Sequence, residues 1–252
     1  MKKLIALFAL IPLGANATVI YDNGGALDGG TTVASDLDML FDPLPAGLED
    51  FCDDVTALCY QEAADDFVIT AAVEISGINW WGAYTNANQF DEVPDDFSLR
   101  ILDAAFGLVA DINVGGVTRF DTGLNALDLG TVRDIFGYEA NIAPLLLTAG
   151  QYYLSVVNNT AGDELGHRWS WQSTAGVSGT VAQARQSNAV FADTTTGWEN
   201  TGDPPDVPGY DLAFNITTVP EPSTIALFGI GILGLRLARR RKSVLPDAGE
   251  PE

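Results

Sequence analysis

Val73-Glu74-Ile75-Ser76-Gly77-Ile78-Asn79-Trp80-Trp81-Gly82-Ala83-Tyr84 is the stretch that decides the fold. It is rich in β-branched and aromatic residues and broken by glycines, so it reads as a strand and not a helix. Val73 and Ile75 share one face, whereas Ile78 and Trp80 fall on the other. The parity changes at Ser76-Gly77, where a β-bulge returns both pairs to the core. Similar short runs follow from Asp65 onward, separated by turn residues, which is the pattern of an all-β sandwich or barrel. Phe97, Leu99 and Ile101 line one face with Ser98 and Arg100 opposite. Tyr152, Leu154 and Val156 form another face, and Leu212, Phe214 and Ile216 close the domain. Gly115-Gly116, between 112–114 and 117–120, reads as a two-residue hairpin turn. Leu145-Leu146-Leu147 and 180–185 are expected as helical or buried irregular pieces. Residues 18–63, rich in Gly, Asp and Pro, are expected to form an irregular entry to a sandwich spanning 64–219.

Both ends of the chain carry targeting features. Lys2 and Lys3 precede an apolar stretch from Leu4 to Leu13, and Ala15-Asn16-Ala17 is an A-x-A site. This pattern is a secretory signal peptide over 1–17, with cleavage before Thr18. At the other end stands Pro220-Glu221-Pro222, then an apolar run over 223–235, then Arg239, Arg240, Arg241 and Lys242. At about 1.5 Å per residue the apolar run covers roughly 20 Å of a hydrocarbon core of about 30 Å, a short and marginal transmembrane helix. Basic residues at its end stay in the cytoplasm, leaving 18–219 outside the inner membrane.

Of the 12 basic residues, two lie in the first 17 positions and five beyond residue 235; of the 34 acidic residues, four lie beyond 219. The span between therefore holds five arginines and 30 acids, a formal charge of −25, and no lysine. Such a surface repels nucleic acid and anionic lipid. It also repels acidic polysaccharide unless a divalent cation bridges the two. Asp53-Asp54, Asp65-Asp66 and Asp95-Asp96 are the carboxylate type that Ca²⁺ prefers, yet no D-x-[DN]-x-[DN]-G loop is present. A solvated acidic surface explains the composition without a metal, so no cofactor is required, and Ca²⁺ bridging acidic loops to acidic polysaccharide is the alternative. Cys52 and Cys59 are the two cysteines. In an exported chain they pair most simply with each other, closing a short loop at a gain of about 2–3 kcal/mol.

The residues give little support to catalysis. His167 is the single histidine; there is no G-x-S-x-G elbow and no H-E-x-x-H. A glycosidase needs two carboxylates, a condition that 30 acids leave untested. The aromatics point elsewhere. Trp80, Trp81 and Tyr84 cluster on one strand, and Trp169 and Trp171 share a face if 168–171 is extended. An exposed indole can stack on the apolar C–H face of a sugar ring, with Asn79, Asn86, Asn88, Arg168 and Gln172 placed to bond hydroxyls. The competing role is core filling, as large aromatics commonly do.

The C-terminal arrangement of Pro-Glu-Pro, short hydrophobic helix and basic cluster resembles the PEP-CTERM motif of Gram-negative bacteria that make exopolysaccharide, also labelled the ice-binding protein C-terminal domain. The resemblance implies recognition by an exosortase through Pro220, Glu221 and Pro222, a transient stay in the inner membrane, and delivery to the cell surface or extracellular matrix. Family tails stop just after the basic cluster, whereas this chain continues with an acidic tail over 243–252. A second resemblance runs over 64–217 through Ala64-Asp65-Asp66-Phe67, Trp81-Gly82-Ala83-Tyr84, Asp96-Phe97-Ser98-Leu99, Tyr152-Tyr153-Leu154-Ser155-Val156 and Asp211-Leu212-Ala213-Phe214. It implies a PEP-CTERM ectodomain built as a jelly-roll-like antiparallel β-sandwich. The expected role is binding of exopolysaccharide or another glycan, not catalysis. A structural matrix protein without a ligand site is the alternative, and a glycan-active enzyme is a more distant one.

Overall fold

Strand-forming residues with period-two burial dominate, and every regular element among the described residues is a strand. The computed structural model describes residues 17–40, 58–85, 95–114, 116–128, 131–160, 167–174, 182–187, 197–200 and 210–218. In chain order the strands are β1 (Val19–Asp22), β2 (Thr32–Ala34), β3 (Asp36–Leu40), β4 (Leu58–Ile69), β5 (Val73–Thr85), β6 (Phe97–Asp103) and β7 (Leu108–Asn113). They continue as β8 (Thr118–Asp128), β9 (Thr131–Leu147), β10 (Gly150–Asn158), β11 (Arg168–Gln172), β12 (Gln183–Ser187), β13 (Glu199–Asn200) and β14 (Phe214–Thr218).

These strands form two sheets. In the first, β8 pairs with β9 and β9 with one edge of β5. Along the other edge of β5, β14 occupies Ile75 to Trp80 and β11 occupies Gly82 to Thr85, with β1 beyond β14 and β2 beyond β11. The second sheet runs β13-β12-β4-β10-β6-β7, and β3 also lies against β4. Among the described residues strand pairing is antiparallel except at Asp36 and Asn158, and an isolated parallel bridge joins Gly30 to Ala126.

The core between the sheets is assembled by inward parity. Phe97, Leu99, Ile101, Leu154 and Val156 from the second sheet meet Ile75, Ile78, Trp80, Phe214 and Ile216 from the first, all with no exposed surface. Aromatic edges lock the layers together: Trp80 and Trp169 each meet Phe97 at 5.1 Å between ring centroids, and Phe67 meets Phe214 at 6.3 Å. The expected bulge is present. The register of β5 on β9 shifts between Ile75 and Gly77, and both Ile75 and Ile78 are buried. A buried carboxylate ties separate segments to this frame. Asp36 accepts from the Trp169 amide at 2.7 Å and from the Thr160 hydroxyl at 2.9 Å.

Three expectations are corrected. The runs 112–114 and 117–120, expected to form a hairpin through Gly115-Gly116, do not pair with each other: β7 pairs with β6 in one sheet and β8 with β9 in the other, and Val114 is buried. Residues 18–63 are not wholly irregular, since β1, β2 and β3 take up sheet edges left by β14, β11 and β4. Leu145-Leu146-Leu147 is strand, paired with Val73 to Ile75, and Gln183 to Arg185 pairs with β4. Among the described residues, no strand pairs with the outer edge of β7 or with β9 beyond Glu139 on its β8 side. Pro144 lies on that stretch of β9 and, lacking an N–H, blunts it against strand addition.

Candidate functional site

Parity decides the fate of the sequence-predicted aromatics. Trp80, Trp169 and Trp171 point inward with no exposed surface, and Tyr84 retains 2%. Trp169 fills the space over Gly82, where any Cβ would overlap the indole. Trp171 donates from Nε1 to the Ala213 carbonyl at 2.9 Å. These four side chains present no ring face to a ligand, which corrects the expectation that they form a stacking platform; they are core. The Tyr84 hydroxyl donates to Asp95 at 2.6 Å and accepts from the Asn158 amide at 2.9 Å. Burial raises the pKa values of Tyr84, Tyr138 and Asp95, with the Tyr84 hydroxyl and Arg119 pulling Asp95 back. Arg119 reaches Asp95 at 3.4 Å and sits over the Phe136 ring. Gln172 is fully buried and Arg168 half-buried, so the proposed hydroxyl partners also divide.

Trp81 is the exception, because adjacent residues of a strand face opposite ways. It points to the outer face of the first sheet and is half-buried, packed against the small cluster Ala83, Ala126 and Ile135. Gly137 lies opposite it on β9, and Phe120 lies opposite Gly137 on β8. Phe120 is 41% exposed. The far edge of its ring occupies the position a Cβ on Gly137 would take, so the ring leans across the sheet. The next outward row, two residues along, is polar: Thr118 opposite Glu139, Glu139 opposite Asn79, Asn79 opposite Asn215. Thr118 and Glu139 are exposed, and Asn79 donates to the Asn215 side-chain oxygen at 2.7 Å. An aromatic row thus lies beside a polar row across adjacent strands. Sequence reasoning missed Phe120 and Glu139, since their alignment with Trp81 depends on the β8–β9–β5 register.

Other features compete for attention. Phe106, at φ +61, is held in the β6–β7 turn by Asp103, whose carboxylate accepts from the Ala105 and Gly107 amides at 2.8 Å. Its ring stacks between Tyr153, at 4.4 Å, and Trp198, at 4.9 Å. A groove of about 430 Å³ runs between β7 and β9, lined by Asp111, Ile112, Asn141, Ile142 and Pro144 among others. Glu62 is buried outside the second sheet, bonded by Ser155 at 2.7 Å and paired with Arg100 at 3.3 Å. Asp65 is buried and accepts from the Leu212 amide at 2.6 Å, the Asn23 amide at 2.8 Å and the Asp66 amide at 2.9 Å. Burial pushes its pKa up to about 8, the Leu212 and Asp66 amides opposing and the charges of Asp211 and Asp66 reinforcing the rise. Among the described residues, no three His, Cys, Asp or Glu side chains are arranged to hold a metal ion. His167 is buried at 2% exposure.

Several sequence-predicted sites lie outside the described residues: Ala15, Cys52, Asn86, Asn88, Pro220, Glu221, Pro222, the 223–235 stretch and Arg239, Arg240, Arg241 and Lys242. Ala17 and Thr18 lie just before β1, and Cys59 lies in β4 with its side chain outside the description. Among the described residues no helix is long and apolar enough to cross a membrane. No curated protein matches the chain. Residues 218–242 match the family described as the PEP-CTERM protein-sorting motif, covering the Pro-Glu-Pro signature, the apolar stretch and the basic cluster. The chain therefore carries, directly after its last strand, the sorting motif that marks an exported protein handled by an exosortase.

Proposed function

We propose that the β-sandwich is a glycan-binding module, delivered by exosortase sorting to the cell surface or extracellular matrix of a Gram-negative bacterium, and that it binds without catalysis. The observation that carries this reading is the outer face of the first sheet, where exposed Phe120 and half-buried Trp81 flank Gly137 beside Thr118, Glu139, Asn79 and Asn215. Aromatic faces take the C–H surface of a sugar, and carboxylate, amide and hydroxyl groups at two-residue spacing take its hydroxyls. A jelly-roll-like topology, as in carbohydrate-binding modules, belongs to the same proposal. The inner Trp and Tyr residues would then give the face a rigid support.

Affinity electrophoresis of the full chain in gels containing the native exopolysaccharide tests the reading. Phe120→Ala and Trp81→Ala should each weaken retardation about tenfold, the effect of losing most of one aromatic burial. Unchanged retardation in the folded double variant would favour the structural-matrix alternative. Sorting is checked separately. Glu221→Ala should leave uncleaved protein in the membrane fraction, and normal release of that variant would remove the assigned role of the Pro-Glu-Pro signature.

A further inference from the structure

Resting on the glycan reading above, we infer that the ligand of this face is a linear, uncharged polysaccharide of flat-ribbon form, such as a β-1,4-linked hexopyranose chain, held along its length. Three observations lead there. First, Phe120 and Trp81 stand two strands apart with Gly137 between them. Because the Phe120 ring leans over Gly137 toward Trp81, the two aromatics form one apolar strip across β8, β9 and β5, about 10 Å long at about 4.8 Å per strand, enough to take consecutive rings of an extended chain.

Second, the polar row runs parallel to the aromatic one. It continues from Thr118 through Glu139 and Asn79 to Asn215, with Asp22 of β1 opposite Asn215. Adjacent outward rows are about 7 Å apart along the strands. A ribbon lying across the strands would rest its ring faces on Phe120 and Trp81, with one edge of hydroxyls toward that row. Five strands span about 19 Å from β8 to β1, several sugar rings in length. This favours an internal segment over a single terminal sugar. Gly137 keeps the track level, because a side chain there would collide with the Phe120 ring.

Third, the charges in these two rows are Glu139 and Asp22, both exposed, while Arg133 and Arg168 share the outer face two rows beyond the aromatic one. Arg119 of β8 points the other way, toward Asp95. A uronate or sulfate polymer would lay its charges beside these carboxylates, inside a domain already at −25 with no lysine to compensate. Neutral hydroxyls meet no such penalty.

The test is isothermal calorimetry on the full chain in mild detergent with cello-oligosaccharides of one to six rings, with alginate as the acidic probe. Affinity should rise at least tenfold from the disaccharide to the tetrasaccharide and level off thereafter. Phe120→Ala should abolish that rise. Alginate should not bind at low salt. Equal affinity for all chain lengths, or tighter binding of alginate, would overturn the inference. If the native exopolysaccharide binds through Phe120 and Trp81 while the ladder does not, the ribbon assignment fails and the glycan reading stands. If neither binds, both fall. Because Phe120 is exposed, its variant keeps the test valid should Trp81→Ala misfold.

Discussion

Trp169→Ala is expected to lower the stability of the domain by about 3–5 kcal/mol, the usual cost of deleting a large aromatic from a packed core. The side chain has no exposed surface and contacts Phe97 edge-on at 5.1 Å, Tyr138 at 6.2 Å and Trp171 at 6.5 Å. It joins the two sheets, so its loss opens a cavity that neither layer can close alone. Domains of this size are stable by about 5–15 kcal/mol, and the variant would surrender a large part of that. Urea unfolding followed by fluorescence measures the difference. Phe120→Ala, on the outer face, should cost under about 1 kcal/mol in the same assay. Equal losses in the two variants would mean that the division between core and outer-face aromatics is wrong.

The second large effect is a fall in stability with rising pH. Asp65 in the folded chain titrates near 8, above its ordinary value of 3.8. A carboxyl whose folded pKa is raised retains more protons in the folded state than in the unfolded one across the interval between the two values. Its contribution is therefore complete below about pH 4 and is lost as the pH climbs through about 8. Each pH unit in that window costs at most about 1.4 kcal/mol. The charge of −25 acts in the same direction, since ionising carboxylates repel one another. Scanning calorimetry from pH 4.5 to 8.5 at 0.15 M salt should show the melting temperature falling throughout. Asp65→Asn cannot ionise and should flatten the slope, whereas Asp65→Ala should melt lower at every pH because three N–H donors lose their acceptor. An Asp65→Asn variant with the full wild-type slope would show that the pH effect comes from elsewhere.

How much of this was legible in the chain varies by element, and the reason is physical. Alternation in β6 and β10 and the parity change at Ser76-Gly77 are local properties, so strand identity and core faces could be read directly. That Trp80 and Trp81 face opposite ways is also local. Which of them is core is not, because it depends on Phe97 and Tyr138 arriving from other strands. Trp169 and Trp171 were correctly paired on one face, but the face is the inner one. The outer platform was hidden for the same reason: Phe120 and Trp81 become neighbours only through Gly137, in a third strand. Strands β1 to β3 escaped notice because they are short and owe their form to partners far along the chain. Gly115-Gly116 carries hairpin chemistry, but the strands on either side find partners in different sheets, and such distant pairing cannot be read from turn propensity.

The pairing of Val19 with Thr217 has a bearing on timing during export. The first strand of the sandwich waits for the last, and the last ends at the residue where the sorting motif begins. A chain threaded outward from its N-terminus cannot finish the first sheet until nearly all of it has emerged. Contacts so distant in sequence also close slowly. Completion of the first sheet thus depends on the strand that borders the sorting signal. A chain truncated within β14 would leave Val19 and Tyr21 without the strand they pair against, and would lack its closing edge.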